Sequence, residues 1–254
     1  MLKLSVCIEM IYRDLPFTDR IAQVGQMGIP AFEFWGWDNK DLDAIDEAKE
    51  KAGLAVASCV GSGGGVLVDP TQRAAFVEGV GKSIEVAHQL DCKTLIITTG
   101  NELVDVSRED QHASIVEGLK QAAPLAASGK VTLALEPLNI LVNHKGYYLS
   151  TSAEGFQILE EVGSPHVKLL YDIYHQQITE GNLIANIEAG IQSIGHFHVA
   201  DVPGRHEPGT GEINYRNVFK KIEALGYKDY VGLEYTPQKE AGETLKHVMA
   251  LASS

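Results

Sequence analysis

The sequence predicts an α/β fold of the TIM (β/α)8 barrel type, with a single domain over residues 1–254. Short apolar runs alternate with longer amphipathic ones, as they do where strands alternate with helices. Eight apolar runs can be distinguished in a chain of 254 residues, which is the usual length for eight strand–helix units. Eight units favour a closed barrel over an open doubly wound sheet, and no linker rich in Pro, Gly or Ser divides the domain.

The candidate strands are short apolar runs that lie between the predicted helices. They cover residues 2–8, 31–35, 54–60, 94–100, 131–137, 167–172, 194–200 and 230–235. Between them, apolar residues recur at helical spacing and the stretches usually end at Gly, most clearly over 17–28, 71–91, 151–163 and 214–226. Because consecutive strands are connected through helices, the sheet should be parallel, with right-handed crossovers.

The charge of the chain restricts the class of partner. The formal net charge is −13 at pH 7, so a broad surface for nucleic acid or for an anionic membrane is not expected. A small anionic substrate would need a local positive charge. The sequence leaves the oligomeric state open, with a homo-oligomer among the alternatives.

Cysteine usage and the terminal segment predict a cytoplasmic, unprocessed protein. Cys7, Cys59 and Cys92 all lie in apolar segments without a CxxC pair, which favours buried, reduced thiols. The first residues are interrupted by Glu9 and Arg13, and no apolar run is long enough to span a bilayer.

A glycine-rich segment, GSGGG at 61–65, follows the third candidate strand. It predicts a mobile loop. As a phosphate-binding loop it is a weak candidate, because it lacks both GxGxxG and a following Gly-Lys-Ser/Thr.

Polar residues end four successive candidate strands, the fifth to the eighth: Glu136, Asp172, His198 and Glu234. Taken alone, each is more often a helix cap or half of an ion pair. In a barrel, however, strand ends meet at one mouth, where several buried carboxylates need a compensating positive charge. The set predicts a site for one divalent ion, Mg²⁺ or Mn²⁺, with Co²⁺ tolerated because of the imidazole nitrogen.

Other polar and aromatic residues near the predicted mouth have simpler interpretations. His196 shares a face with His198 and is expected to be a hydrogen-bonded core residue. Trp35 and Trp37 either line a substrate pocket or cover the barrel mouth. Asp201 and Glu212 are expected to make loop hydrogen bonds.

Three stretches resemble a known family: YDIYHQQITEGNL at 171–183, GHFHVADVPGRHEPGTGEINY at 195–215 and VGLEYTP at 231–237. They are similar to those of hydroxypyruvate isomerases and the related 2-oxo-tetronate isomerases, within the xylose isomerase-like barrel superfamily. The resemblance extends over nearly the whole chain and is closest from residue 131 onward. It implies a divalent metal and proton transfer between adjacent carbons through an enediol.

The resemblance also implies roles for individual residues. The metal ligands correspond to Glu136, Asp172, the position of His198, and Glu234, with both glutamates also acting as catalytic acid and base. His175 and Arg205 match positions that face the substrate. The family is expected to have Gln at the position of His198, whereas His there is typical of ketose 3-epimerases.

The predicted function is therefore isomerisation of a small hydroxy-oxo acid, hydroxypyruvate to tartronate semialdehyde or a 2-oxo-tetronate. Arg205 would bind the substrate carboxylate, although a surface ion pair with Glu207 is the alternative. The second hypothesis is a ketose 3-epimerase, which the ligand His198 favours. A non-catalytic sugar-binding barrel and an apurinic-site nuclease are less favoured, because both glutamates are present and the chain is strongly acidic.

Overall fold

The computed structural model describes residues 2–61 and 64–253 and contains one parallel sheet. Within those residues the strands are β1 (Lys3–Cys7), β2 (Ala31–Glu33), β3 (Ala55–Val56), β4 (Cys59–Val60), β5 (Thr94–Ile97), β6 (Thr132–Leu135), β7 (Val167–Asp172), β8 (Ile194–Val199) and β9 (Tyr230–Leu233). Each predicted strand is present, and the third is divided into β3 and β4. Ser62 and Gly63 of the glycine-rich segment, which is predicted to be a mobile loop, lie outside the described residues.

The sheet closes into a barrel through the interrupted third strand. β1 pairs with both β2 and β9. From β9 the neighbours run back along the chain through β8, β7, β6 and β5 to β4, and on the other side β2 pairs with β3. Between β3 and β4, the amide of Ala57 donates to the carbonyl of Phe32 at 2.8 Å, and in β4 the amide of Val60 donates to the carbonyl of Trp35 at 3.3 Å. These bonds connect the interrupted strand to β2, and the predicted TIM barrel is confirmed.

Helices lie between the strands, as the amphipathic stretches predict. In the described part of the chain they are α1 (Phe17–Gln26), α2 (Leu42–Ala52), α3 (Arg73–Gln89), α4 (Arg108–Gly129), α5 (Ser152–Val162), α6 (Ile173–Thr179), α7 (Leu183–Gly190), α8 (Tyr215–Ala224) and α9 (Ala241–Ala252). Their ends follow local chemistry: the Asp41 side chain caps the first turn of α2, and Gly53 ends that helix with φ +67°. None of the described helices is long and apolar enough to cross a membrane.

The alternation of side chains along the strands determines which residues reach the barrel mouth. Ile96, Ala134 and Leu170, on β5 to β7, form a small apolar cluster of their own, separate from the large core. Glu136 and Asp172 each lie two residues after a member of this cluster, so they share its face and lie directly above it. The three cysteines are buried free thiols, as predicted.

Candidate active site

The carboxyl ends of β6 to β9 bring Glu136, Asp172, His198 and Glu234 together. One potential ligand atom from each lies within 4.8 Å of the others, and all four side chains are buried. Backbone bonds that continue the sheet position the two glutamates: the amide of Glu136 donates to Ile97 at 2.9 Å, and that of Glu234 donates to Val199 at 3.2 Å. The structure thus assembles the residues that the strand ends predict as a group.

Asp172 has two roles at once. Its Oδ1 accepts a 3.0 Å hydrogen bond from the amide of His175 and so caps helix α6. The same carboxylate is a member of the buried cluster. For this residue the helix-cap interpretation is confirmed, and the cap does not prevent the carboxylate from joining the cluster.

His198 lies at the centre of the cluster. Its Nδ1 is 3.5 Å from Oε1 of Glu136 and 3.3 Å from Oε2 of Glu234. Burial opposes protonation of the ring, but Glu234 and Glu33 outweigh it and raise the pKa of His198 well above its ordinary value. The imidazole therefore supplies positive charge to the surrounding carboxylates.

Arg205 supplies the second positive charge. Its Nη2 contacts Oε2 of Glu234 and lies 3.8 Å from Oδ2 of Asp172, while its guanidinium stacks over the ring of Tyr174 at 5.3 Å. Glu207, the alternative partner, instead accepts a hydrogen bond from the amide of Gln238 at 3.0 Å. The arginine is thus directed into the site.

The two neighbouring carboxylates respond differently to this environment. Burial alone would favour the neutral acid in both cases. For Glu234, Arg205 and His198 overcome burial and hold the pKa well below its ordinary value. For Asp172, burial prevails over the same two cations and the pKa is raised. Glu234 is therefore the more readily ionised of the pair.

His175 presents a neutral ring to the site. Burial, and then the charge of Arg205, lower the pKa of His175 to about 3. Its Nδ1 accepts from the backbone amide of Asn139 at 3.2 Å, which places the ring proton on Nε2. Among the described residues, this buried Nε2 has no hydrogen-bond partner, so it can donate to a ligand.

A cavity of about 290 Å³ opens over the cluster. Its polar lining includes Glu136, His198 and Glu234 from the cluster, with His175 and Arg205 beside them. The remaining lining residues are Trp35, Val60, Ile96, Thr98, Leu138 and His144.

The two tryptophans have separate positions. Trp35 lines the cavity, and its Nε1 donates a 2.8 Å hydrogen bond to Oε1 of Glu234. Trp37 packs against the core and donates to Ser83 of α3 at 3.1 Å. Of the two interpretations considered for this pair, lining the pocket therefore applies to Trp35.

The loop after β8 has the predicted internal bonding. Asp201 accepts from the amides of Val202, Ile213 and Gly209 at 2.8–3.1 Å, and Glu212 accepts from the side chain of Gln177 at 3.1 Å. Arg205 itself has φ +58°, within the turn that follows Pro203. Both loop carboxylates make the hydrogen bonds expected of them.

Sequence reasoning missed two residues near the cluster, His144 and Glu33. The ring of His144 lies 5.2 Å from that of His175 and lines the cavity, but it sits in an irregular loop without a recognisable motif. Glu33 ends β2 inside the barrel, where it contacts both histidines of β8. A charged residue within the apolar run AFEFW was the available signal for Glu33.

The donor set fits a divalent cation. Ligands at about 2.1 Å on opposite sides of an ion lie roughly 4.2 Å apart, so ligand atoms within 4.8 Å of one another need only small adjustments. Both ring nitrogens of His198 are buried without an aligned hydrogen bond in the described structure, which leaves Nδ1 available as a donor to a metal. Three carboxylates and one imidazole make an oxygen-rich donor set with one nitrogen, which can hold a divalent ion.

Comparison with known proteins places the chain among barrels of this kind. Hydroxypyruvate isomerase of Escherichia coli K12 is 32% identical over 251 residues, covering 95% of this chain and 97% of that protein. The 2-oxo-tetronate isomerase of Cupriavidus necator is 32% identical over 91% of each chain. These relatives confirm the predicted enzyme class, an isomerase.

Solved structures give the same architecture. A family 2 AP endonuclease from Brucella melitensis superimposes with a TM-score of 0.93 at 27% identity, covering 98% of this chain and 99% of that one. A D-psicose 3-epimerase superimposes with a TM-score of 0.83 at 20% identity over the full length of both chains, which shows a common fold. The model of the xylose isomerase-like TIM barrel family matches residues 21–251, and the chain belongs to this family.

Proposed function

We propose that the protein is a divalent-metal-dependent isomerase of a small hydroxy-oxo acid. The substrate would be hydroxypyruvate, converted to tartronate semialdehyde, or a 2-oxo-tetronate. The observation that supports this most is the pair of buried carboxylates, Glu136 and Glu234, which both lie within 3.5 Å of Nδ1 of His198 and both line a small cavity. Moving a proton between adjacent carbons needs one group to take it and another to return it.

Glu136, Asp172, His198 and Glu234 would hold the ion, with Mg²⁺ or Mn²⁺ preferred and Co²⁺ accepted. Such an ion supplies Lewis acidity, which stabilises the negative charge that the substrate develops when it loses a proton next to its carbonyl. The chain itself provides the proton acceptor. Arg205 holds the pKa of Glu234 below its ordinary value, so its carboxylate is ionised at neutral pH, which is the form that can take up a proton.

Two donors beside the cluster would bind the substrate. Arg205 offers a guanidinium whose buried Nε has no hydrogen-bond partner among the described residues, and His175 offers Nε2–H. Both suit a carboxylate or a carbonyl oxygen, and the arginine gives an acidic protein the local positive charge that an anion requires. Val60, Ile96 and Leu138 add apolar side chains to the lining of the same cavity.

The cavity volume favours a short substrate. About 290 Å³ lies at the lower limit of the range of roughly 300–1,000 Å³ that is usual for drug-sized ligands. An acid of three or four carbons therefore fits this space better than an extended ligand does.

One residue supports a second candidate function, a ketose 3-epimerase. His198 occupies the position where the hydroxypyruvate isomerases are expected to have Gln. The acid is preferred because Arg205 and His175 provide two donors for a carboxylate. His198 differs from the expected Gln by a single substitution, and either side chain can bind a metal. A nuclease is disfavoured by the net charge of −13, since a DNA backbone would be repelled.

The decisive assay offers purified protein hydroxypyruvate, tartronate semialdehyde, 2-oxo-tetronates and free ketoses, each with Mg²⁺ or Mn²⁺. We expect isomerisation of an acid, with deuterium entering the product carbon in D₂O. Fast epimerisation of ketoses at C3, without turnover of any acid, would replace the isomerase by the epimerase. Turnover of neither class would remove both proposals.

A further inference from the structure

Glu33 forms a hydrogen-bonded network inside the barrel, below the four-residue cluster. Only 2% of the residue is exposed. Its Oε2 accepts from Ser5 at 2.8 Å and from Ser58 at 3.3 Å, and lies 2.9 Å from Nε2 of His196. A buried carboxylate is costly unless it is hydrogen-bonded, and three groups satisfy this one oxygen.

The second oxygen of Glu33 faces the central histidine of the cluster. Oε1 lies 3.1 Å from Nε2 of His198, whereas Nδ1 on the other side of that ring faces Glu136 and Glu234. Neither Oε1 nor Nε2 has an aligned hydrogen bond within the described residues, although the two atoms are at hydrogen-bonding distance. A small rotation of the ring would satisfy both of them.

The neighbouring strand leaves room for this contact. His198 pairs with Gly232 in the register of β8 and β9. A Cβ atom at position 232 would lie 2.2 Å from Oε1 of Glu33 and 2.7 Å from Cδ2 of His198. Because no side chain fits there, Gly232 is what allows the carboxylate and the ring to meet.

A histidine that binds a metal through one nitrogen usually donates the proton on its other nitrogen to a carboxylate, which fixes the ring's tautomer and orientation. We propose that Glu33 is the positioning residue for His198: it accepts the Nε2 proton and so directs the Nδ1 lone pair at the ion. This inference rests on the proposed metal site. It adds a residue from β2, on the other side of the barrel from β6 and β7, to the machinery of the site.

The test is the dissociation constant for Mn²⁺ of the full-length Glu33→Gln protein, measured by calorimetry and by electron paramagnetic resonance. Loss of such a carboxylate partner typically weakens metal binding roughly 10–100-fold, and we expect a change in that range. The visible spectrum of the Co²⁺ form should change as well, because the ring orientation at the ion changes. Ser114→Ala, which removes the buried hydrogen bond from Ser114 of α4 to the carbonyl of Leu67, is the matched control and should leave Mn²⁺ binding unaltered.

A second variant keeps the experiment decisive if Glu33→Gln does not fold. Gly232→Ala retains every charge but places a Cβ atom against the carboxylate, so it should also weaken Mn²⁺ binding. A purely structural role for Glu33 would lower the melting temperature of either variant and leave its Mn²⁺ dissociation constant unchanged. That result would overturn the inference.

The outcomes separate this inference from the proposed function. If the wild-type protein isomerises an acid while Glu33→Gln binds Mn²⁺ as tightly as wild type, the function stands and the positioning role fails. If the wild-type protein turns over no acid but Glu33→Gln weakens Mn²⁺ binding, the positioning role stands and the substrate assignment fails. Wild-type protein that does not bind Mn²⁺ would contradict both.

Discussion

The indole of Trp35 donates a 2.8 Å hydrogen bond to Oε1 of Glu234, which joins the loop after β2 to the carboxylate that follows β9. Arg205 contacts the other oxygen of the same carboxylate. Glu234 is therefore held from two sides by donors, both of which line the cavity. Its orientation relative to a substrate depends on these two contacts.

Trp35→Phe tests the first of these contacts. A hydrogen bond to a charged group is worth about 1.5–3 kcal/mol, and because Trp35 is 42% exposed, water can partly replace it. We therefore expect kcat to fall about tenfold. Trp37→Phe, which loses the bond to Ser83 and part of the indole's packing but no contact with Glu234, is the matched control and should keep normal turnover. Equal effects of the two changes would mean that the Trp35 contact has no role in catalysis.

Glu136→Gln and Glu234→Gln test the proton transfer. Each variant keeps the shape of the side chain but cannot accept a proton, so turnover should fall at least about a hundredfold. Circular dichroism should show an intact fold, and exchange of the substrate proton with D₂O should decline with turnover. Near wild-type turnover by either variant, with metal bound, would refute the assigned roles.

Arg205→Ala tests the binding of a substrate carboxylate. Because a charge-assisted contact is present in the ground state as well as in the transition state, its loss should raise KM for the acid by about 10- to 100-fold. Arg205→Lys retains the charge without the planar fork, so its KM for the acid should lie between those of the wild type and Arg205→Ala. A KM that rises equally for an acid and for a neutral ketose would show that Arg205 does not recognise the carboxylate.

The pH dependence of Mn²⁺ binding follows from the raised pKa of His198. Without metal, Glu234 and Glu33 keep this ring protonated at neutral pH, but a metal ligand must be deprotonated at Nδ1. Binding should therefore release the proton of His198 and, at lower pH, that of Asp172 as well, because its pKa is also raised. The affinity should rise about tenfold per pH unit while the pH is below the pKa of the folded protein, and level off above it.

Calorimetry in buffers with different ionisation enthalpies measures the proton released. Glu234 contributes no competing change above pH 5, because its pKa is held well below the ordinary value. An affinity that does not vary between pH 6 and pH 8 would exclude His198 as the ligand that titrates.

The barrel and its mouth could be predicted from sequence because both depend on repetition. Eight apolar runs and four polar strand ends are periodic features, and the barrel itself determines that strand ends meet. Glu33 could not be placed in this way, because its partners come from β1 and β8 and its space depends on Gly232. Likewise, the apolar run 54–60 does not predict the break at Ala57 and Ser58. That break depends on how the closing strand bends between β2, which pairs with β3, and β5, which pairs with β4.

The double role of Asp172 limits which substitutions the chain can accept. As the cap of α6 it holds the first turn of the helix that carries His175, and as a carboxylate it belongs to the buried cluster. Asn caps a helix about as well as Asp does but provides no negative charge, whereas Ala provides neither. Asp172→Asn would thus retain the position of His175 while it alters the charge of the cluster, and Asp172→Ala would disturb both in one step. A substitution at this one position can therefore change the start of helix α6 and the buried cluster together.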